Sequence, residues 1–271
     1  MITAFSLFMG VAFYQVDGFA DLPFTGNPAA VCLLDGRRDV EWMQDVASEM
    51  NLSETAFVQP DEDAFRIRWF TPTVEVDLCG HATLAAAHAL WSEGRVLNTA
   101  PISFSSRGGA LAASRQGSWI ELDFPSYNVN PAPLNPLLKQ ALGAEIAFSG
   151  ATEYDQFVEL ASAAEVRDLR PNLATLARID ARGIIVTSRG DSEDCDFVSR
   201  FFAPRSGIPE DPVTGSAHCA LGPYWQARLG RNPLIGYQAS PRGGRVRVRV
   251  AGDRVRIAGQ AVTVVRGELM V

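Results

Sequence analysis

Two spacings of apolar residues organise this chain. Phe65-Arg66-Ile67-Arg68-Trp69-Phe70 alternates apolar and polar positions, as a strand with one buried face requires. The same reading predicts strands over 118–124, 183–188, 196–202, 245–250 and 254–258, with Gly252-Asp253 turning between the last two. Val40 to Met50 instead spaces Trp42, Val46 and Met50 at i, i+4 and i+8, which predicts an amphipathic helix. Thr83 to Leu90 is rich in alanine and leucine and predicts a second helix. Pro72 and Pro204 close the strands before them, because proline has no N–H to donate and restricts the preceding residue.

The pattern occurs twice. Arg68-Trp69-Phe70-Thr71-Pro72 leads through a polar loop to Cys79-Gly80-His81-Ala82 and an apolar run ending at Trp91. Arg200-Phe201-Phe202-Ala203-Pro204 leads through a longer loop to Thr214-Gly215-Ser216-Ala217 and a run ending at Trp225. The spacing between copies is close to half the chain, so a tandem duplication is the economical account. The proline-rich stretch 125–136 reads as the linker between halves. Many strands with few helices in two similar halves predict an α+β protein with a cleft between them.

Composition narrows the function classes. Of 271 residues, 47% are apolar, enough for substantial cores. The net charge of −7 disfavours nucleic acid or an anionic membrane as partner. Arg245, Arg247 and Arg249 alternate with valines and read as one solvated strand face. The cysteines Cys32, Cys79, Cys195 and Cys219 form no CxxC pair, so neither a zinc framework nor a secreted disulfide scaffold is expected, and a reducing cytoplasm fits. The apolar N-terminus lacks a preceding Lys or Arg and is too interrupted to span a membrane. Met9 offers an alternative start, with residues 1–8 an upstream extension.

Only three histidines are available for chemistry. Gly80 and Gly215 each open a helix, where unpaired N–H groups and partial positive charge accumulate and a missing side chain lets a ligand approach. Two such starts facing one cleft could hold a carboxylate or stabilise an enolate without a cofactor. His81 is expected to be neutral near pH 7 and able to exchange protons. Its counterpart Ser216 could bind a carboxylate. Glu54, in Asn51-Leu52-Ser53-Glu54-Thr55-Ala56-Phe57-Val58, is an isolated carboxylate before an apolar strand, placed to have a raised pKa. Asp211 could fix the tautomer of His81 or contact a ligand amino group. His88 and His218 read as scaffold. Cys79 lacks a thiol opposite it, since the second copy has Thr214, and reads as a bystander at the helix start.

Four motifs together resemble the PhzF-like phenazine-biosynthesis isomerases, relatives of diaminopimelate epimerase and proline racemase. They are Phe24-Thr25-Gly26-Asn27-Pro28-Ala29-Ala30-Val31, the Asn51–Val58 stretch, Asp77-Leu78-Cys79-Gly80-His81-Ala82-Thr83, and Glu210-Asp211-Pro212-Val213-Thr214-Gly215-Ser216-Ala217-His218. The resemblance implies a diaminopimelate-epimerase-like fold, two pseudo-symmetric halves each with a curved sheet around a central helix. It implies one half from 1–125 plus 259–271 and another from 126–258, with the active site between them. It further implies a cofactor-independent, metal-free homodimer acting on a small, cyclic, carboxylate-bearing substrate. Glu54 would be the acid/base, His81, Asp211 and Ser216 its polar support, Gly80 and Gly215 backbone donors, and Asn27 a cleft residue. An amino-acid racemase or epimerase, a non-catalytic binding protein with the same cleft, and a metal hydrolase using His81 and Asp211 are the other readings.

Overall fold

The alternating stretches are strands, and their order is the same in both halves. The computed structural model describes residues 10–270, so the proposed extension at 1–8 lies outside the described residues. In the first half, Val11–Gly18 pairs antiparallel with Asn27–Leu33, which runs parallel to Glu54–Asp61, itself antiparallel to Ala64–Phe70. Ala64–Phe70 runs parallel to Ile102–Ser106, which leads through Gly109–Gln116 to Trp119–Pro125. The second half repeats this through Ile146–Ala151, Asp155–Leu160, Gly183–Ser192, Cys195–Ala203, Leu234–Gln238, Gly244–Ala251 and Arg254–Gly259. Its parallel pairings fall in the same two places.

The halves meet where Trp119–Pro125 lies antiparallel to its own counterpart, Arg254–Gly259, with Leu122 opposite Ile257. Each half then sends its next segment to the other. Asn130–Pro131 pairs with Ile146–Ala151, and Ala261–Leu269 pairs with Val11–Gly18. The stretch read as a linker is therefore partly a strand, placed where Pro131 occupies a two-residue edge pairing and its missing N–H costs little.

Each half wraps a central helix, Gly80–Ser92 or Gly215–Leu229. In the first, ten residues from His81 to Trp91 are buried, many of them alanines. Small side chains let strands approach from every side, so this helix is apolar all round rather than amphipathic. The outer helix Val40–Met50 does have one apolar face, but Met43, Val46 and Ala47 are its buried residues. Trp42 sits at the edge of that face, its ring 5.9 Å from Phe57 in a T-shaped contact. Asn51 ends the helix in the left-handed region at φ 50°.

The arginine strand behaves as its alternation requires. Val246 and Val248 are fully buried. Arg245 is exposed, Arg247 lies over the Trp119 ring at 4.1 Å, and Arg249 reaches Glu121 at 3.1 Å. Among the described residues, no helix is long and apolar enough to cross a membrane.

Candidate active site

Strand ends and helix starts bring the candidate residues together. Asn27 and Glu54 open two parallel strands whose register sets Ala29 beside Glu54, so both side chains sit at one end of the sheet. Asp211 ends the strand Ile208–Asp211, and His81 is the second residue of the helix Gly80–Ser92. Between the halves the helix starts nearly touch: a Cβ built on Gly80 would lie 3.6 Å from the Gly215 Cα. Neither helix has a side-chain cap at its N-terminus. Two sets of first-turn N–H groups are thus left available where the halves meet.

Asn27 is the hub. Its side-chain amide donates to Asp211 Oδ1 at 2.7 Å and to the Val213 carbonyl at 3.0 Å, and lies 3.2 Å from His81 Nδ1. Its carbonyl oxygen accepts from Ser53 Oγ at 3.2 Å. Of the two roles expected for Asp211, holding His81 or contacting a ligand amino group, the first is not made directly, because the Asn27 amide stands between them. Asp211 is held further by Thr214, whose hydroxyl donates to Oδ2 at 2.5 Å. The fully buried Gln238 ties this corner down, donating to the Asp211 carbonyl and accepting from the Thr214 amide.

On the other side of His81, Nε2 lies 3.3 Å from Glu54 Oε2. Burial pushes the imidazole pKa down to about 3, so this is a neutral contact and not an ion pair. Nor is it a hydrogen bond in geometry, since Nε2 is buried without a partner. Burial pushes the Glu54 carboxyl up to about 8, nearby Asp211 adds to the rise, and a hydrogen bond with Cys79 opposes it. Burial also raises Asp211, to about 6, against the stabilising bonds from Thr214 and Asn27.

Cys79 is not a bystander in position. Its Sγ lies 3.5 Å from His81 Nδ1, and it contacts Glu54 as well. Burial foremost, with the negative field of Glu54, holds its thiol protonated. Glu54, Cys79 and His81 are the described donor atoms closest to a metal set. The geometry fits an ion poorly: Glu54 faces Nε2 while Cys79 faces Nδ1, and the lone pairs of those two nitrogens diverge.

Ser216 is half-buried on the second helix, and no hydrogen bond among the described residues joins it to this network. His218 is buried, its Nδ1 2.8 Å from the Thr214 carbonyl, and the half-buried His88 lies 3.0 Å from Thr263 Oγ1, both as scaffold. Ser53 and Thr214 were legible in principle, as polar residues inside the motifs that carry Glu54 and Asp211. Gln238 had no local signal; it follows an apolar strand and enters the site only through the sheet.

Known proteins resemble this chain over most of its length. The model of the phenazine biosynthesis-like protein family matches residues 16–267. An uncharacterized isomerase of Halalkalibacterium halodurans is 51% identical over 263 residues, covering 97% of this chain and 99% of the relative. The crystal structure of a PhzF-family phenazine biosynthesis protein from Enterococcus faecalis has a TM-score of 0.92 at 42% identity, over 96% of this chain and 99% of that one. A hydroxyproline epimerase from Agrobacterium vitis shares the fold alone, with a TM-score of 0.63 at 12% identity over 96% of this chain and 92% of the other.

Proposed function

This chain belongs to the phenazine biosynthesis-like family and is an isomerase of that family, and we propose that it moves a proton within a small carboxylate-bearing substrate by Glu54 acid/base catalysis. The fold is the two-halved α+β arrangement of the diaminopimelate-epimerase type. The observation that carries the reading is Glu54, a recessed carboxyl with a pKa of about 8 beside two uncapped helix starts.

In this reading the substrate carboxylate or carbonyl lies against the amides of the Gly80 and Gly215 helix starts. Glu54, as carboxylate, takes a proton from the adjacent carbon. The C–H electrons move into the conjugated system, and the negative charge gathers on oxygen facing those amides. The same carboxyl, now protonated, returns the proton at another carbon, so no atom is gained or lost. A pKa near the working pH suits a group that must both take and give. His81 offers a neutral N–H or lone pair to the substrate. Asp211 and Asn27 fix the polar corner of the site, and Ser216, outside the hydrogen-bonded network, would bind a substrate carboxylate. Thr214, where a second thiol would stand in a two-thiol racemase, has its hydroxyl committed to Asp211.

The reading treats 1–125 with 259–271 as one half and 126–258 as the other. It takes the protein as a cytoplasmic homodimer that needs neither metal nor cofactor and whose partner is the small substrate. Incubation with cyclic amino-hydroxy acids in deuterated water tests it. Deuterium entering carbon with the wild type, and not with Glu54→Gln, supports it. No incorporation from any of them, or an undiminished Glu54→Gln, would sink it.

A further inference from the structure

The sequence dismissed Cys79 because no thiol opposes it, yet the structure sets its sulfur between the two proton-handling groups. We propose that Cys79 is a positioning residue whose S–H donates to His81 Nδ1, fixing the tautomer with the proton on Nε2 and presenting that N–H to an acceptor oxygen of the substrate.

The argument is a count of protons. Nδ1 of His81 has two polar neighbours, Asn27 Nδ2 at 3.2 Å and Cys79 Sγ at 3.5 Å. The Asn27 amide has only two N–H protons. Its orientation is fixed by its surroundings, since its nitrogen faces Asp211 Oδ1 at 2.7 Å and the Val213 carbonyl at 3.0 Å while its oxygen accepts from Ser53. Both acceptors are closer than Nδ1, so they take both protons. A proton on Nδ1 would therefore face an amide nitrogen that has no lone pair, with only the thiol sulfur, a weak acceptor 3.5 Å away, to turn to. A lone pair on Nδ1 faces the positive side of the same amide and can also receive the thiol proton. The thiol can serve here: it is 6% exposed, burial with the nearby carboxyl keeps it protonated, and the Glu54 carboxyl that it also contacts is itself protonated at neutral pH, which leaves the single S–H to His81.

The consequence appears on the far side of the ring. With Nδ1 unprotonated, Nε2 carries the hydrogen. That nitrogen is buried, in a residue 5% exposed, and has no hydrogen-bond partner, with Glu54 Oε2 at 3.3 Å but poorly aligned. An orphaned buried donor costs free energy unless something arrives to accept it. Beside Glu54, the fitting occupant is a substrate oxygen, so the ligand needs an acceptor next to the carbon that exchanges its proton. Cys79 thereby acts through His81 and touches no reacting atom.

This inference uses the proposed reaction only for the identity of the acceptor, and its test does not require turnover. The chain has three histidines, so nitrogen-15 histidine labelling and long-range proton–nitrogen correlation give three ring systems, assigned with His88→Asn and His218→Asn. The expected wild-type result is His81 as the Nε2–H tautomer, with widely separated ring nitrogens that do not titrate across neutral pH. In Cys79→Ala the separation narrows as the Nδ1–H form gains population. In Cys79→Ser, whose hydroxyl still donates, it is restored. Unchanged signals from His88 and His218 show that each variant is folded. A wild-type Nδ1–H tautomer overturns the inference, and so does a Cys79→Ala spectrum identical to wild type at His81. Should Cys79→Ala not fold, the wild-type tautomer and Cys79→Ser decide the matter. Failure of deuterium incorporation with a confirmed Nε2–H tautomer would instead count against the proposed reaction alone.

Discussion

Asn27 and Asp211 lie 184 positions apart and are joined by a 2.7 Å hydrogen bond that spans the two halves. One amide thereby connects the carboxylate of the second half to the imidazole of the first. The two polar ends of the site are coupled through it, and breaking it should be felt on both sides.

Asn27→Ala removes the donor to Asp211 and to the Val213 carbonyl together. Two acceptors at the site then lose their partner, which should cost about 3 kcal/mol. Urea unfolding should show this as a lower midpoint at an unchanged slope.

Glu54→Gln keeps the shape and removes the acid/base. Proton exchange on carbon should fall by about 100-fold or more. In the wild type the active base is the carboxylate, so exchange should climb with pH and level off near the Glu54 pKa of about 8. A flat profile between pH 6 and 8 would speak against Glu54 as the base.

Gly80→Ala separates folding from function. The new Cβ would meet the Gly215 Cα at 3.6 Å and the Phe124 ring at 3.8 Å, ordinary contact distances. Alanine also favours the helix, by up to about 1 kcal/mol. Thermal stability should be unchanged or slightly higher. Proton exchange should nevertheless drop, because a methyl now occupies the space where a ligand would reach the helix amides.

Arg242 forms one of the ion pairs between the halves. It donates to Asp17 Oδ1 at 2.7 Å and to the carbonyls of Thr25 and Gly26, just before Asn27. Asp17 is 1% exposed, so Arg242→Ala strands a buried carboxylate, and a loss of about 3 kcal/mol is expected. Calorimetry of Arg242→Ala beside Arg242→Lys measures it, with lysine recovering only part because it lacks the planar fork.

Stability should respond to pH from both sides. The raised pKa of Glu54 means the native state holds a proton that the unfolded chain releases above about 4.5, so this contribution is lost as pH rises through about 8. The depressed pKa of His81 means the unfolded chain takes up a proton first, so stability is lost as pH falls from 6.5 toward about 3. Chemical denaturation at a series of pH values should show Glu54→Gln flattening the loss above about pH 6.5 and leaving the loss below about pH 4.5 as it was, the two windows overlapping in between.

Much of this protein is written along the chain. The alternation in 65–70 and 245–250, the helix at Val40–Met50 and the duplicated glycine helix starts are local patterns, and period and proline placement reveal them because backbone geometry is local. Glu54, His81, Asp211 and Asn27 were legible as isolated polar residues beside apolar runs or within the motif set. What the chain did not reveal was which atoms touch. The sequence left Asp211 between His81 and a ligand amino group, and gave Cys79 no partner. Contacts made by residues from different strand ends depend on sheet register and on how closely two helix starts approach, and neither has a local signature. The closeness of Gly80 to Gly215 and the seating of Gln238 beneath Asp211 come from the pairing of Trp119–Pro125 with Arg254–Gly259 and from the packing of both halves around it. The sequence by itself determined two copies of one strand-and-helix unit and the polar residues they carry. Only the tertiary structure decided that an asparagine stands between the acid and the histidine, and that a buried thiol reaches the same ring nitrogen of that histidine. Burial sets the protonation of the carboxyls, the imidazole and the thiol, and burial exists only once the halves have closed on each other.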